Sequence, residues 1–314
     1  MAKKNPRNPI LSKIRAASRD EGKAVEFIEA GRWGDDPACP KCGSVDVYQM
    51  RDRKTGEREK NYRWRCRDCK KMYSVRTGTV FEETRLPLSV WLHALWRACS
   101  SKKGVSALQI SRECEISYKS ALFLMHRIRF MMHDGSPPPL SGTVEVDETY
   151  VAGKPRYRKP TRGRPKGWSK PMVFAMVERG GNVRAMHMTE VNAANLRAKI
   201  VEAVDPSSRV ITDEAPYYKR VKEHFQHETV NHRSHEYVRK GTDVTTNTIE
   251  GFFSLIKRGV YGTFHSVSKE HLHRYVSEFE FRYNTRHLDD GERTLEALRG
   301  GEGKRLMYRD SPPV

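Results

Sequence analysis

Residues 143–150 alternate apolar and polar side chains, as a half-buried strand does. Val144 and Val146 point to one face, and Glu145, Asp147 and Thr149 to the other. A carboxylate buried in mid-strand needs a partner charge or a metal, so a cation is expected beside this strand. Two further strand-like runs follow, Met172–Val177 and Val183–Met188, joined at Gly180-Gly181-Asn182, a hairpin signal. Asn192–Val204 reads as a helix and Arg209–Thr212 as a strand, with Asp213 at its C-terminal end. Strand ends are common places for active groups; the plainer role for Asp213 is to cap the next turn. Thr245-Thr246-Asn247 opens a helix over Thr248–Arg258, with Ile249, Phe253 and Ile256 on one face. Glu250 and Lys257 lie two turns apart on nearly the same side of it. A last helix, Lys269–Thr285, buries Leu272, Val276, Phe279 and Tyr283, and a polar tail follows.

Upstream, residues 1–30 read as a leading helix that Gly31 ends. Residues 86–133 are helical in period: Leu88, Trp91, Leu92, Leu95 and Trp96 recur on one side. The pattern runs through Val105–Glu113, breaks at Cys114-Glu115-Ile116 and restarts at Ser117, with Leu122, Met125 and Ile128 on one face. Helix, short turn and second helix is the helix-turn-helix layout, which sets Ser117, Tyr118 and Lys119 at the groove-facing start of the second helix. Many helical hairpins bind nothing, so the pattern alone does not decide this. Ser136-Pro137-Pro138-Pro139 is a stiff linker and a domain boundary.

Charge sharpens the picture. The 314-residue chain has a net charge of +19, which points to a polyanion, nucleic acid before membrane. The surplus is clustered. Lys154–Lys170 holds eight basic residues and no acidic one, with several Gly and Pro, and reads as an exposed loop. Within it Arg162-Gly163-Arg164-Pro165, followed by Lys166, resembles an AT-hook core; a general DNA-backbone loop is the reading preferred. No apolar run approaches a membrane span, and no secretory signal leads the chain, so the cytoplasm, in association with the nucleoid, is the expected location.

Four of the six cysteines form two Cys-x-x-Cys pairs, Cys39/Cys42 and Cys66/Cys69. Two such knuckles close a four-sulfur shell with no open position, so one structural zinc is expected, with iron as the competitor. Between Arg51 and Lys71 lie ten basic and four acidic residues with Tyr62 and Trp64 among them, a candidate phosphate-contacting ribbon. Cys99 and Cys114 read as small buried apolar residues. His224, His227, His232 and His235 match no ligand spacing and are taken as surface or core histidines.

The order of strands, helices and acidic residues is that of the ribonuclease-H-like fold. The sequence resembles the DDE transposases of bacterial insertion sequences, in the group related to the eukaryotic Merlin transposases. The residues that carry the resemblance are Cys39-Pro-Lys-Cys42, Cys66-Arg-Asp-Cys69 with Thr77-Gly78-Thr79, Ser117-Tyr118-Lys119, Val144-Glu-Val-Asp147-Glu-Thr-Tyr150, Ile211-Thr-Asp213, Asn247-Thr-Ile-Glu250 through Lys257-Arg258-Gly259, and Phe281-Arg-Tyr-Asn284. The resemblance implies Asp147, Asp213 and Glu250 as catalytic ligands of two magnesium or manganese ions. Asp147 would be shared, and Lys257, with Arg258 beside it, would hold the element's end. It also implies cleavage at that end, transfer of the freed strand into target DNA, and a homodimer or larger assembly on DNA, because two ends are joined.

These readings give an α/β (α+β) multidomain chain: a leading helix at 1–30, a zinc ribbon at 31–82, a helix-turn-helix region at 83–135, a ribonuclease-H-like mixed sheet with flanking helices at 140–290, and a tail at 291–314. The expected partners are the terminal inverted repeats of the element and target DNA, without a membrane. A DNA-binding regulator that does not cut, and a nuclease that cuts without joining, are the alternatives.

Overall fold

The computed structural model describes residues 8–151, 171–190, 192–231, 238–239 and 241–307. The chain divides into two compact units, one formed by residues 1–133 with 287–314, the other by 134–286.

The first unit begins with two helices where one was expected, α1 (Pro9–Ala17) and α2 (Glu21–Trp33). Asp20 separates them because its side chain caps α2, accepting the Lys23 N–H at 2.8 Å. Gly34, with φ at 61°, ends α2. Gly31 lies inside it, where a Cβ would come within 2.8 Å of Leu298. Then come three short antiparallel strands, β1 (Val47–Gln49), β2 (Trp64–Cys66) and β3 (Met72–Tyr73). Glu29 of α2 ties them down. Though only 7% exposed, it accepts the Trp64 indole N–H at 2.7 Å and an Arg58 N–H at 2.5 Å. Trp33 stacks edge-on against Trp64 and Tyr73.

Helices α3 (Leu88–Ser100), α4 (Ala107–Glu113) and α5 (Tyr118–Met131) follow. Glu115, at φ 55°, makes the break between α4 and α5, and Ser117 caps α5 through the Ser120 N–H. Glu113 fastens α4 to α3, taking two N–H bonds from Arg97 at 2.9 and 3.0 Å and bonding with His93 at 2.9 Å.

The second unit is built on one sheet: β4 (Thr143–Tyr150), β5 (Met172–Glu178) and β6 (Val183–Met188), then α6 (Ala193–Ala203), β7 (Arg209–Asp213) and β8 (Gln226–Val230). The order is β6-β5-β4-β7-β8, antiparallel among the first three and parallel from β4 to β8, the mixed sheet of a ribonuclease-H-like fold. Strand β8 was not anticipated; Gln226, His227 and Glu228 hide it from a hydropathy reading. Helices α7 (Asn247–Gly259) and α8 (Leu272–Asn284) complete this unit.

Alternation along the strands sorts two cores. Val144, Val146, Phe174, Met176 and Val210 pack with Leu196 and Ile200 of α6. Val173, Ala175 and Val177 pack with Ile249, Phe252, Phe253 and Ile256 of α7 and with Val276 and Phe279 of α8. Asp147 has the parity of the second set, so its side of the sheet is the one α7 covers.

The expected tail is a helix instead, α9 (Asp290–Arg299), opened by a capping box of Asp289 and Glu292. It belongs to the first unit and buries Gly291, Thr294, Ala297 and Leu298. Its buried face is small and partly polar, which made it look like a tail. Gly300 follows because a Cβ there would lie 2.3 Å from the Met131 carbonyl oxygen.

Candidate active site

Asp147 and Asp213 stand on adjacent parallel strands. The β4–β7 register pairs Val144 with Val210 and Glu145 with Ile211. Two residues further, in the same phase, are Asp147 and Asp213, both toward the C-terminal ends of strands about 4.8 Å apart. Glu250 comes from the first turn of α7, where the helix dipole favours an acidic side chain. Its carboxylate accepts the Thr246 hydroxyl at 3.3 Å. Asp147 senses both of the others. Burial above all, and then the charges of Glu148, Asp213 and Glu250, push the Asp147 carboxyl up to about 8, although the Glu148 N–H bonds it at 2.8 Å. Asp213 also accepts the Ala215 N–H at 3.0 Å, so the capping role open to it in sequence coexists with its place beside Asp147.

The position of Glu250 depends on another carboxylate of β4. Glu145 is fully buried, on the same face of β4 as Asp147. One oxygen accepts the Ile249 N–H at 3.0 Å; the other accepts the Thr248 hydroxyl at 2.9 Å and Arg179 Nε–H at 2.7 Å. The Thr246 hydroxyl, at the start of α7, is spent on the Glu250 carboxylate and is not the cap of the helix's backbone N–H groups. A strand carboxylate therefore caps the helix that carries Glu250, and one strand fixes both sides of the site. The cation expected beside β4 is, at Glu145, a guanidinium. Arg179 continues to the Thr245 carbonyl at 2.9 Å and to Asp243 at 3.2 Å, and Asp243 takes two bonds from Arg209, each 2.8 Å. The segment entering α7 is thus pinned to β5 and β7.

Glu148 is a further carboxylate at this end of the sheet. It accepts the hydroxyls of Tyr217 and of Tyr218, the latter at 2.5 Å. Burial first, then the negative charge of Glu148, keeps Tyr218 protonated and donating. Sequence offered no sign of these tyrosines as partners, because the pairing is made across about 70 residues by the fold.

The four cysteines converge at the ribbon. Cys39 and Cys69 place Sγ atoms 3.7 Å apart, Cys42 and Cys66 3.6 Å apart, and all four lie within 4.8 Å of one another. Tetrahedral zinc at a Zn–S distance of about 2.3 Å requires Sγ separations of about 3.8 Å, so the cluster fits zinc. The Cys69 backbone N–H helps hold the Cys66 thiol down, to about 7, which favours the thiolate. Among the described residues this is the group whose ligand atoms converge so closely.

An ISXO2-like transposase domain matches residues 139–284, and a transposase zinc-ribbon domain matches residues 19–72. An uncharacterized protein in the transposable element ISH50 of Halobacterium salinarum is 30% identical over 278 residues, covering 83% of this chain and 90% of that protein. The chain belongs to the ISXO2-like DDE transposases with an N-terminal zinc ribbon. Among solved structures, a Mos1 strand transfer complex is 15% identical, covering 59% of this chain and 74% of its own, at a TM-score of 0.21. The Mos1 transposase paired-end complex with left transposon end is 15% identical, covering 60% and 74%, at 0.23.

Other residues of the transposase singled out in sequence fall as follows. Lys257 and Arg258 are exposed in the last turn of α7. Ser117, Tyr118 and Lys119 are exposed at the start of α5, with the Ser117 hydroxyl used as the cap. Arg162, Arg164 and Lys166, with the whole loop 154–170, and His232 and His235, lie outside the described residues. His227 bonds the Thr212 hydroxyl at 2.9 Å, a core contact next to Asp213. No helix among the described residues is long and apolar enough to cross a membrane.

Proposed function

We propose that this transposase cuts DNA at the ends of its insertion sequence and joins the freed 3′-hydroxyl to target DNA, with Asp147, Asp213 and Glu250 as the catalytic carboxylates. The observation that carries the proposal is geometric: the β4–β7 register sets Asp147 and Asp213 in the same phase on adjacent parallel strands, and α7, which carries Glu250 in its first turn, packs on that side of the sheet. Folding gathers like charges against their repulsion, an arrangement that suits hard cations with oxygen ligands. Two magnesium or manganese ions held by these three side chains would neutralise the phosphodiester and stabilise its entering and leaving oxygens. The chain's own residues do the positioning. Glu145 and Arg179 hold the start of α7, the helix that carries Glu250, against β4, and Glu148, held by two phenols, keeps the peptide N–H on Asp147 in place. Lys257 and Arg258 give the exposed side of α7 positive charge for phosphates.

In the other unit, Tyr118 and Lys119 with the basic ribbon 51–71 would read the terminal inverted repeats. The exposure of Tyr118 (53%) at the start of the second helix supports this. Joining two ends requires two active sites, so a dimer or larger assembly on DNA is expected, in the cytoplasm where the element resides.

The test is to mix the full chain with duplex DNA carrying the element's end, with magnesium or manganese and with a chelator control. Nicked strands at the end, and joined products when target DNA is added, are expected. Tight binding to the end without any nick in either metal would make the protein a regulator, and nicks without joined products would make it a nuclease.

A further inference from the structure

The exposed side of α7 has a composition that packing does not require. Ile249, Phe252, Phe253 and Ile256 take the buried face. The opposite stripe runs through Glu250, Gly251, Ser254, Lys257, Arg258 and Tyr261, all exposed. At 3.6 residues per turn, positions 250, 254, 257 and 261 fall within about 60° of one another and extend about 16 Å along the axis.

The order along this stripe is chemically graded. Beside the carboxylate the surface is low: a Cβ on Gly251 would meet nothing within 4 Å. About two turns on come two cations. Then α7 passes without a break into a single π-helical turn, Val260–Phe264. Such turns concentrate at functional sites. This one buries Val260 and packs Phe264 edge-on against Tyr275 at 4.8 Å, while Tyr261 keeps 46% of its surface exposed. A Cβ on the following Gly262 would also meet nothing within 4 Å. The π turn thus sets an aromatic ring at the end of the stripe that starts at Glu250.

We propose that this stripe seats a single-stranded DNA end, with its backbone phosphates against Lys257 and Arg258 and an unpaired base stacked on Tyr261. The proposal rests on Glu250 belonging to the catalytic site, since that is what gives the strand its direction. Stacking on an aromatic side chain suits any base, because every base has a π face. In an intact duplex the bases face inward and cannot reach the ring. The seat therefore selects a frayed or already cut end, whose last bases have left the stack.

The experiment uses the full chain, wild type and Tyr261→Ala, Tyr261→Leu and Tyr261→Phe. The probe is an element-end duplex with two unpaired nucleotides at the cut strand, carrying 2-aminopurine at either one. A fully paired duplex serves as control. Expected are a change in 2-aminopurine emission at one position on binding, kept by Tyr261→Phe and lost in the Ala and Leu variants. Binding of the frayed end should weaken about tenfold in both of these, with the paired duplex changed less than twofold. Leu preserves apolar volume without a π face, so its failure separates stacking from packing, and equal melting temperatures check the fold. If Ala and Leu match wild type on the frayed end, or if Phe is as damaging as Ala, the seat does not exist. Absence of nicking by the wild type, with the emission change intact, would overturn the catalytic reading and leave the seat standing.

Discussion

The cysteine cluster and the proposed carboxylate site bring like charges together in opposite ways. The ribbon brings four sulfurs together from two short knuckles, each ligand pair three residues apart, and closes them on one another. The carboxylates come from two strand ends and a helix start spread over about a hundred residues, and their geometry is held by other residues: Glu145, Arg179 and the Tyr217–Tyr218 pair. A closed soft shell needs little beyond its ligands, because metal binding itself supplies much of the folding free energy. An open hard site must leave room for substrate, so its scaffold has to hold the ligands instead.

The largest test of this contrast is Asp147→Asn. Loss of one charge from the open site should remove several kcal/mol of charge stabilisation, at least about a thousandfold in nicking rate. Melting temperature should not fall, because the half-buried acid faces like charges, and end binding should hold. A drop in end binding would show that Asp147 does something other than the chemistry proposed. Replacing Cys42 and Cys69 together with Ser should have the reverse profile. Zinc content falls to near zero and the ribbon loses its structure, weakening end binding severalfold, while the other unit keeps its own melting transition. One zinc per chain after that change would point to a different ligand set.

The scaffold is tested by Glu145→Gln and by Arg179→Met. Either should slow nicking by about ten- to hundredfold and raise the divalent-ion concentration needed for half the maximal rate. Arg179→Met should be the less stable of the two, since it leaves a buried carboxylate without its counter-charge. If rate and metal requirement stayed unchanged while stability fell, Glu145 would be a structural cap only.

The smallest expected effect lies far from both clusters, at Glu113. Burial alone would raise its pKa, but the bonds from Arg97, His93 and Gln109 outweigh burial and hold it down at about 2. A depressed carboxyl stabilises the fold above its unfolded pKa, and that contribution is lost as pH falls from about 4.5 through about 2. Below pH 4 the α3–α4 contact should loosen. Glu113→Gln should flatten this acid sensitivity at neutral-pH cost of roughly 1 kcal/mol, read from urea unfolding at several pH values.

Sequence by itself determined whatever depends on spacing within a few residues. The knuckle pairs announced a four-sulfur shell, the alternation at 143–150 set Asp147 on the side opposite Val146, and helical period assigned the buried face of α7. What the chain does with residues far apart was decided by tertiary structure. Glu145 has the same local pattern as Asp147, yet a neighbouring helix start and Arg179 make one a cap while the other lies among carboxylates. Strand β8 owes its existence to backbone pairing with β7, which polar side chains do not advertise, and α9 buries small residues that only a close-fitting neighbour makes apolar in effect. Periodicity is written in the order of side chains; partnership depends on which distant backbone arrives beside them, and that is fixed by register and packing.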